Sequence, residues 1–273
     1  MNLHGSNDSN RSTHFTHLES LYSQYHSIQF LDSDPIELIL KYTEQDRPWV
    51  AFMVSAFSLG RVTAIRTFSK SVLGRFGTTV HNTLIKSSEK ELRALAQGLV
   101  YRFFNETRLG NFFVLMGRMA RKWESIESSF MAYLPPQGLN QTEDGLFGPL
   151  KRWIKDLRIL SAEDIGILLP SHTGKSGLKR ILLFMKWMVR SDSIDPGGWT
   201  CITPKDLLIP LDTHMLAWSR VLGFTSSKMA NQNTCLEVTR RFRELCPDDP
   251  LRYDFCLTRT GIISGAQNPK NSL

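Results

Sequence analysis

Apolar residues recur at helical spacing along nearly the whole of this chain, and strand-like alternation is scarce. An amphipathic period of that kind can bury its apolar stripe only against other helices, so the expected class is all-α. The pattern predicts helices near 17–28, 35–43, 47–58, 61–76, 88–104, 108–131, 146–157, 161–168, 176–190, 203–208, 213–222, 231–245 and 250–262. Local punctuation supports several of these. "SDPIEL" places Asp34 at an N-cap with Pro35 at the first helical position. "SAEDIG" offers Ser161 as a cap with Asp164 three residues on. Gly223 stands where a glycine closes the helix 213–222.

Two loops organise the chain. The Pro-Pro, Gly and polar residues of "LPPQGLNQTEDG" (134–145) separate two helical halves. "SDSIDPGGWTCITP" (191–204) is long for a helical protein, and long loops are often functional or mobile. The expected organisation is a disordered tail at 1–16, an N-terminal half at 17–133, a linker at 134–149, a C-terminal half at 150–265 and a tail at 266–273. The N-terminus, "MNLHGSNDSNRSTHFT", is polar and does not read as a signal peptide. Residues 49–59 form the most apolar stretch, about half the ~20 residues a spanning helix needs, so no membrane association is expected. Cys201, Cys235, Cys246 and Cys256 show no C-x-x-C spacing, which argues against a metal or iron–sulfur site and favours reduced thiols in the cytoplasm. No cofactor is expected, and a monomer is.

The formal charge of +7 and a pI near 9.3 favour an anionic partner, nucleic acid ahead of membrane. The charge concentrates in "LLPSHTGKSGLKRILLFMKWMVR" (168–190), which carries five cations and no acid. On a helix over 176–190, Leu178, Ile181, Leu182, Met185, Met188 and Val189 share one face, the expected core face. Lys179, Lys186 and Arg190 fall along one flank, with Arg180 and Trp187 nearer the back. A glycine-bearing turn feeding a helix start is a ready phosphate site, because the first amides are unpaired and the dipole end is positive. The same pattern is also that of a solvated flank behind a capped start. "SHTGKSG" lacks the first glycine and the preceding strand of a nucleotide-binding loop; Leu169 stands where that glycine belongs. Downstream, "IPLDTHMLAWSRVLGF" (209–224) puts Asp212 at a helix start, where an N-cap role would explain it.

Together, "LLP" (168–170), "GLK" (177–179) and "LDTH" (211–214) resemble, in order, the hairpin and aspartate-bearing helix start of the helix-hairpin-helix DNA glycosylase superfamily, which includes endonuclease III. Residues 34–77 look like that family's opening helices, and "DPLRYDFCLTRTGI" (249–262) like its last one. The hairpin here is longer, the gap to Asp212 is wider, and the four-cysteine iron–sulfur loop has no counterpart. The chain is more similar still to an uncharacterised bacterial family of unknown function that shares the "WMVR", "IPLDTH" and "YDF" patterns.

The resemblance implies a two-lobed helix-hairpin-helix fold acting on duplex DNA with a damaged base, as an N-glycosylase with or without AP-lyase activity. It implies Lys179 as the Schiff-base nucleophile, with Lys175 as the alternative, and Asp212 as the carboxylate that stabilises the sugar cation. His172, Gly174, Lys175, Gly177, Arg180, Lys186, Arg190 and His214 would contact DNA, and Ser58, Trp187 and Trp199 would line a base pocket. The competing expectation is a non-catalytic DNA-binding or partner-binding helical module in which Asp212 only caps.

Overall fold

A computed structural model describes residues 5–139 and 144–263. Among the described residues the chain is all-α: thirteen helices, three short 3-10 turns and no strand. No helix of the described residues is long and apolar enough to cross a membrane.

The centre is α3 (Arg47–Phe57), whose residues from Trp49 to Phe57 are all buried. A helix apolar all round must be wrapped on every side. It is preceded by α1 (Gly5–Tyr25) and the single turn α2 (Ile36–Ile39), and followed by α4 (Val62–Phe76). Next come α5 (Val80–Lys86), α6 (Glu89–Ala94), α7 (Glu106–Lys122) and α8 (Ile126–Met131). Gly117 of α7 permits the close approach of α6, since a Cβ there would stand 2.4 Å from a Leu92 methyl. The second half holds α9 (Phe147–Ser161), α10 (Lys179–Val189), α11 (Thr213–Val221), α12 (Gln232–Leu245) and α13 (Asp254–Ile263). α10 packs directly on α3, with the Phe52 and Phe184 rings 5.3 Å apart, edge to face. One contiguous core therefore runs from Leu18 to Leu257, through both halves.

Several expected elements need correction. Helix α1 begins at Gly5, well inside the expected tail 1–16. Its C-terminal half buries Leu18 and Leu21 beside α13, and Glu19 pairs with Arg252 at 3.0 Å while the Arg252 guanidinium lies 3.9 Å over the Tyr22 ring. The expected tail at 266–273 lies outside the described residues, as do residues 140–143 of the expected linker. The helix 88–104 stops at Ala94, and residues 101–104 close a tight turn through reciprocal Tyr101 and Phe104 backbone bonds. The helix 108–131 breaks at 123–125, where Ser125 and Ser128 form a capping box. Helix 161–168 is replaced by the 3-10 turn Gly166–Leu168, because Asp164 spends its carboxylate on the Gly166 amide and on Arg108. Ser161 ends α9 instead of opening a helix. Helix α5 was absent from the expected pattern.

The long loop 191–204 is built in, and does not hang free. Gly197 and Trp199 donate backbone bonds to Trp187 and Met188 of α10, while Ile194 and Asp195 are buried.

Candidate functional site: a lysine–aspartate cleft

Lys179 is the first residue of α10, and the turn before it is unusual. Leu178 has φ +49°, a left-handed conformation that a non-glycine residue adopts only when its surroundings enforce it. Burial of the Leu178 side chain supplies that enforcement and fixes the direction of the chain entering α10. The turn is strapped from behind. Ser176 bridges to Asn231, Gln232 donates its backbone amide to Lys175 O at 3.1 Å, and its side chain reaches Gly174 O at 3.2 Å. Gly177 is packed so closely on residues 230–231 that a Cβ would meet Ala230 O at 3.3 Å.

Asp212 caps α11, accepting from the Met215 amide through Oδ1 at 2.8 Å. Its other oxygen lies 4.0 Å from Lys179 Nζ, and the two side chains are 24% and 36% exposed. Two residues 33 positions apart thus meet on one wall of a cleft of ≈ 1050 Å³. The rest of the lining includes residues 34–36, the turn after α3 and residues of α13.

Of the other residues named from the sequence, Ser58, Arg180, Lys186, Trp187 and His214 line this cleft. The Ser58 hydroxyl is already used, donating to Val54 O at 2.8 Å. Trp199 does not line it; its ring packs in the core against Phe130 and Phe184. His172, Gly174, Lys175 and Gly177 sit on or behind the turn, with Lys175 exposed.

The cationic flank of α10 is the main correction. Lys186 and Arg190 are 2% and 4% exposed, so neither presents a charge to solvent along the outer flank of α10. Lys186 pairs with Asp195 at 3.1 Å and Asp254 at 3.4 Å. Arg190 pairs with Asp195, and with Asp192 and Asp249 at 2.9 Å each. Burial works against a charge on Lys186, yet Asp195 and Asp254 hold its pKa above the ordinary lysine value. The physical reason for the error is that a flank reads as solvated until its acids arrive from elsewhere in the chain. Arg180 is also committed, donating to Ala56 O and Ile167 O, and burial lowers its pKa to about 10.

Other cleft residues escaped the sequence reading. Exposed Arg61, Arg102 and Lys228 stand at the mouth, and the pairs Asp34–Arg259 and Lys186–Asp254 stand inside. Arg102 has φ +53°, and its guanidinium covers Gly60, where a Cβ would lie 2.5 Å from Nη1. Tyr101 of the same turn donates its hydroxyl to Leu59 O at 2.8 Å. Val100 and Phe103 beside it are 72% and 62% exposed. The exposed apolar pair was the only signal in the sequence, and it is invisible without knowing that residues 95–105 leave the helix.

A family model described as "Protein of unknown function (DUF2400)" matches residues 34–263. The chain belongs to this family. The DUF2400 match takes in Lys179, Asp212 and every cleft-lining residue, and starts beyond α1. No curated protein and no solved structure matches the chain.

Proposed function

We propose that this chain is a base-excision DNA glycosylase of the two-lobed helix-hairpin-helix kind, with AP-lyase chemistry carried by Lys179. The observation that carries the reading is the approach of Lys179 Nζ to Asp212 Oδ2, 4.0 Å apart in the lining of the cleft. The duplex partner is supported by the exposed cations at the cleft mouth, Arg61, Arg102 and Lys228, with Lys175 on the adjoining turn.

The chemistry follows from those positions. The target nucleotide swings out of the duplex into the cleft. The Lys179 amine forms a bond to C1′ with its lone pair. The glycosidic C–N bond breaks, its electrons leave with the base, and the base takes up a proton. Positive charge develops on the sugar in the transition state, where the fixed Asp212 carboxylate stabilises it. Ring opening gives a Schiff base. Loss of a C2′ proton then expels the 3′ phosphate and cuts the strand. Capping of α11 holds Asp212 in one rotamer, so the carboxylate is oriented before the substrate arrives. The setting proposed is the cytoplasm, with the chain acting as a monomer.

The 4.0 Å contact is also an ion pair, and that favours a second reading, a DNA-binding module in which the pair is structural. Borohydride trapping separates the two. The full chain is mixed with duplexes carrying oxidised, deaminated, alkylated or abasic residues. A covalent adduct that Lys179→Gln abolishes is the expected result. Salt-dependent binding with no adduct and no base release on any duplex leaves the binding module. An adduct lost in Lys175→Gln and kept in Lys179→Gln moves the nucleophile to Lys175.

A further inference from the structure

Beyond Lys179, α10 turns Leu183, Lys186 and Trp187 toward the cleft, one and two turns farther in. The first residue of α13, Asp254, faces the same space. Lys186 Nζ and Asp254 Oδ2 are 3.4 Å apart, so the inner end of the cleft presents an ammonium and a carboxylate side by side. Trp187 and Phe255 give this end apolar surface. The arrangement is more than charge neutralisation requires. Lys186 already has Asp195 at 3.1 Å, and Asp195 is fully buried and outside the cleft. Lys186 and Arg190 together face four carboxylates, those of Asp192, Asp195, Asp249 and Asp254. Asp254 is the one of the four that lines the cleft.

We infer that Lys186 and Asp254 read the extruded base, and that the bases they fit carry a lactam edge, a ring C=O beside a ring N–H. The inference rests on the glycosylase reading and names its substrate class. The ammonium donates to the carbonyl oxygen and the carboxylate accepts from the adjacent N–H. Both hydrogen bonds are charge-assisted, hence short and strong. Uracil, hypoxanthine and the 8-oxopurines have such an edge. 1,N6-Ethenoadenine, a tricyclic base, has none, and its entry would place the pair against ring nitrogens and C–H bonds, with no new hydrogen bond for either group. A site built to hydrogen-bond a polar edge rejects the analogue lacking it, because its own groups lose water and gain no new partner. Thymine and guanine share the edge, so discrimination against them falls on the cost of extruding a well-paired base.

The test uses the full chain carrying Lys179→Gln, so that the base stays attached. Binding is measured by fluorescence anisotropy at fixed salt to duplexes bearing uracil, hypoxanthine, 1,N6-ethenoadenine or a tetrahydrofuran abasic analogue. The expected result is affinity for the uracil and hypoxanthine duplexes at least about tenfold above that for ethenoadenine, the scale of one unpaired buried polar group. Adding Asp254→Asn should erase that preference and leave tetrahydrofuran binding unchanged. Equal affinity for all three bases overturns the inference, and so does a preference that survives Asp254→Asn. If Asp254→Asn does not fold, as judged by its thermal transition and tetrahydrofuran binding, the preference of the Lys179→Gln chain alone decides. A chain that ignores the tetrahydrofuran duplex and forms no borohydride adduct without Lys179→Gln fails at the glycosylase reading itself, and the base-reading role falls with it. Tight tetrahydrofuran binding without base discrimination overturns the base-reading role only.

Discussion

Asp212 does two jobs with its two oxygens, and substitutions separate them. Asparagine caps a helix as well as aspartate does, so Asp212→Asn should leave stability nearly unchanged, whereas Asp212→Ala should lose about 1 kcal/mol in urea denaturation. Single-turnover assays should show that Asp212→Asn costs rate far more than affinity, because the lost charge is felt mainly in the transition state. Equal losses in rate and affinity would place the residue in ground-state binding. Arg190 predicts the opposite pattern. Arg190→Met strips a buried guanidinium from Asp195 and should destabilise the fold by about 3–5 kcal/mol, the range for breaking a buried pair. Lys179 and Asp212 could be singled out in the sequence because "GLK" and "LDTH" resemble, in order, the hairpin and helix start of a known superfamily; their local signals alone read as a solvated flank and a cap. The fates of Lys186 and Arg190 could not. Two of their acids, Asp249 and Asp254, lie some 60 residues downstream, and no helical wheel reports a partner at that separation.

At the scale of elements, α10 is a structural beam whose later cation Lys186, with Arg190 at its C-terminal end, is buried in ion pairs, and its first turn and the turn before it meet solvent. Removing Lys186 and Arg190 from the phosphate-contacting set changes the expected salt response. Log affinity for duplex DNA should fall with log salt, and Lys175→Gln or Lys228→Gln should each flatten the slope by about 0.9. Asp192→Asn, which lies outside the cleft lining and pairs with Arg190, should leave that slope alone. A slope that stays constant in Lys175→Gln and Lys228→Gln would remove those residues from the DNA surface. The helices themselves were legible wherever an apolar stripe ran unbroken, as in α3, α7 and α12. Their ends were less so. The stops at Ala94 and Lys122 depend on a tight turn and a serine capping box that interrupt no apolar period. α1 went unread in its first half because that segment is polar, and its second half is fixed by Arg252 and Tyr253, more than 230 residues away.

For the whole molecule, the single core that joins α3 to α10 predicts one cooperative unfolding transition. Far-UV circular dichroism and tryptophan fluorescence should give coincident melting curves. Two separated transitions would mean that the halves on either side of 134–149 are independent. The buried charge network sets the acid limit. Burial alone would raise the pKa of Asp192, but the hydrogen bond from His26, the charge of Arg190 and the amides of Asp195 and Ile194 hold it well below the usual carboxylate range. A carboxylate with a depressed folded pKa contributes stability that is present above its unfolded pKa and lost as pH falls toward the folded one. Stability should therefore drop below about pH 4, the unfolded aspartate value, and Asp192→Asn should shallow that drop by giving up the contribution at neutral pH. A pH profile identical in Asp192→Asn and wild type would remove Asp192 from the account.

The buried surroundings of the cysteines have a practical consequence. None of the four is exposed, and burial pushes the thiols of Cys201, Cys235 and Cys256 up to about 12 and that of Cys246 upward as well. The thiolate is the species that attacks maleimides and disulfide reagents, so the native chain should label slowly until it unfolds. A thiol placed at the exposed rim by Phe103→Cys would then be the fast-reacting one, with no native cysteine removed. A dye attached there would sit beside the cleft mouth, in the otherwise natural sequence, and a change in its emission on adding duplex DNA would test the proposed partner directly.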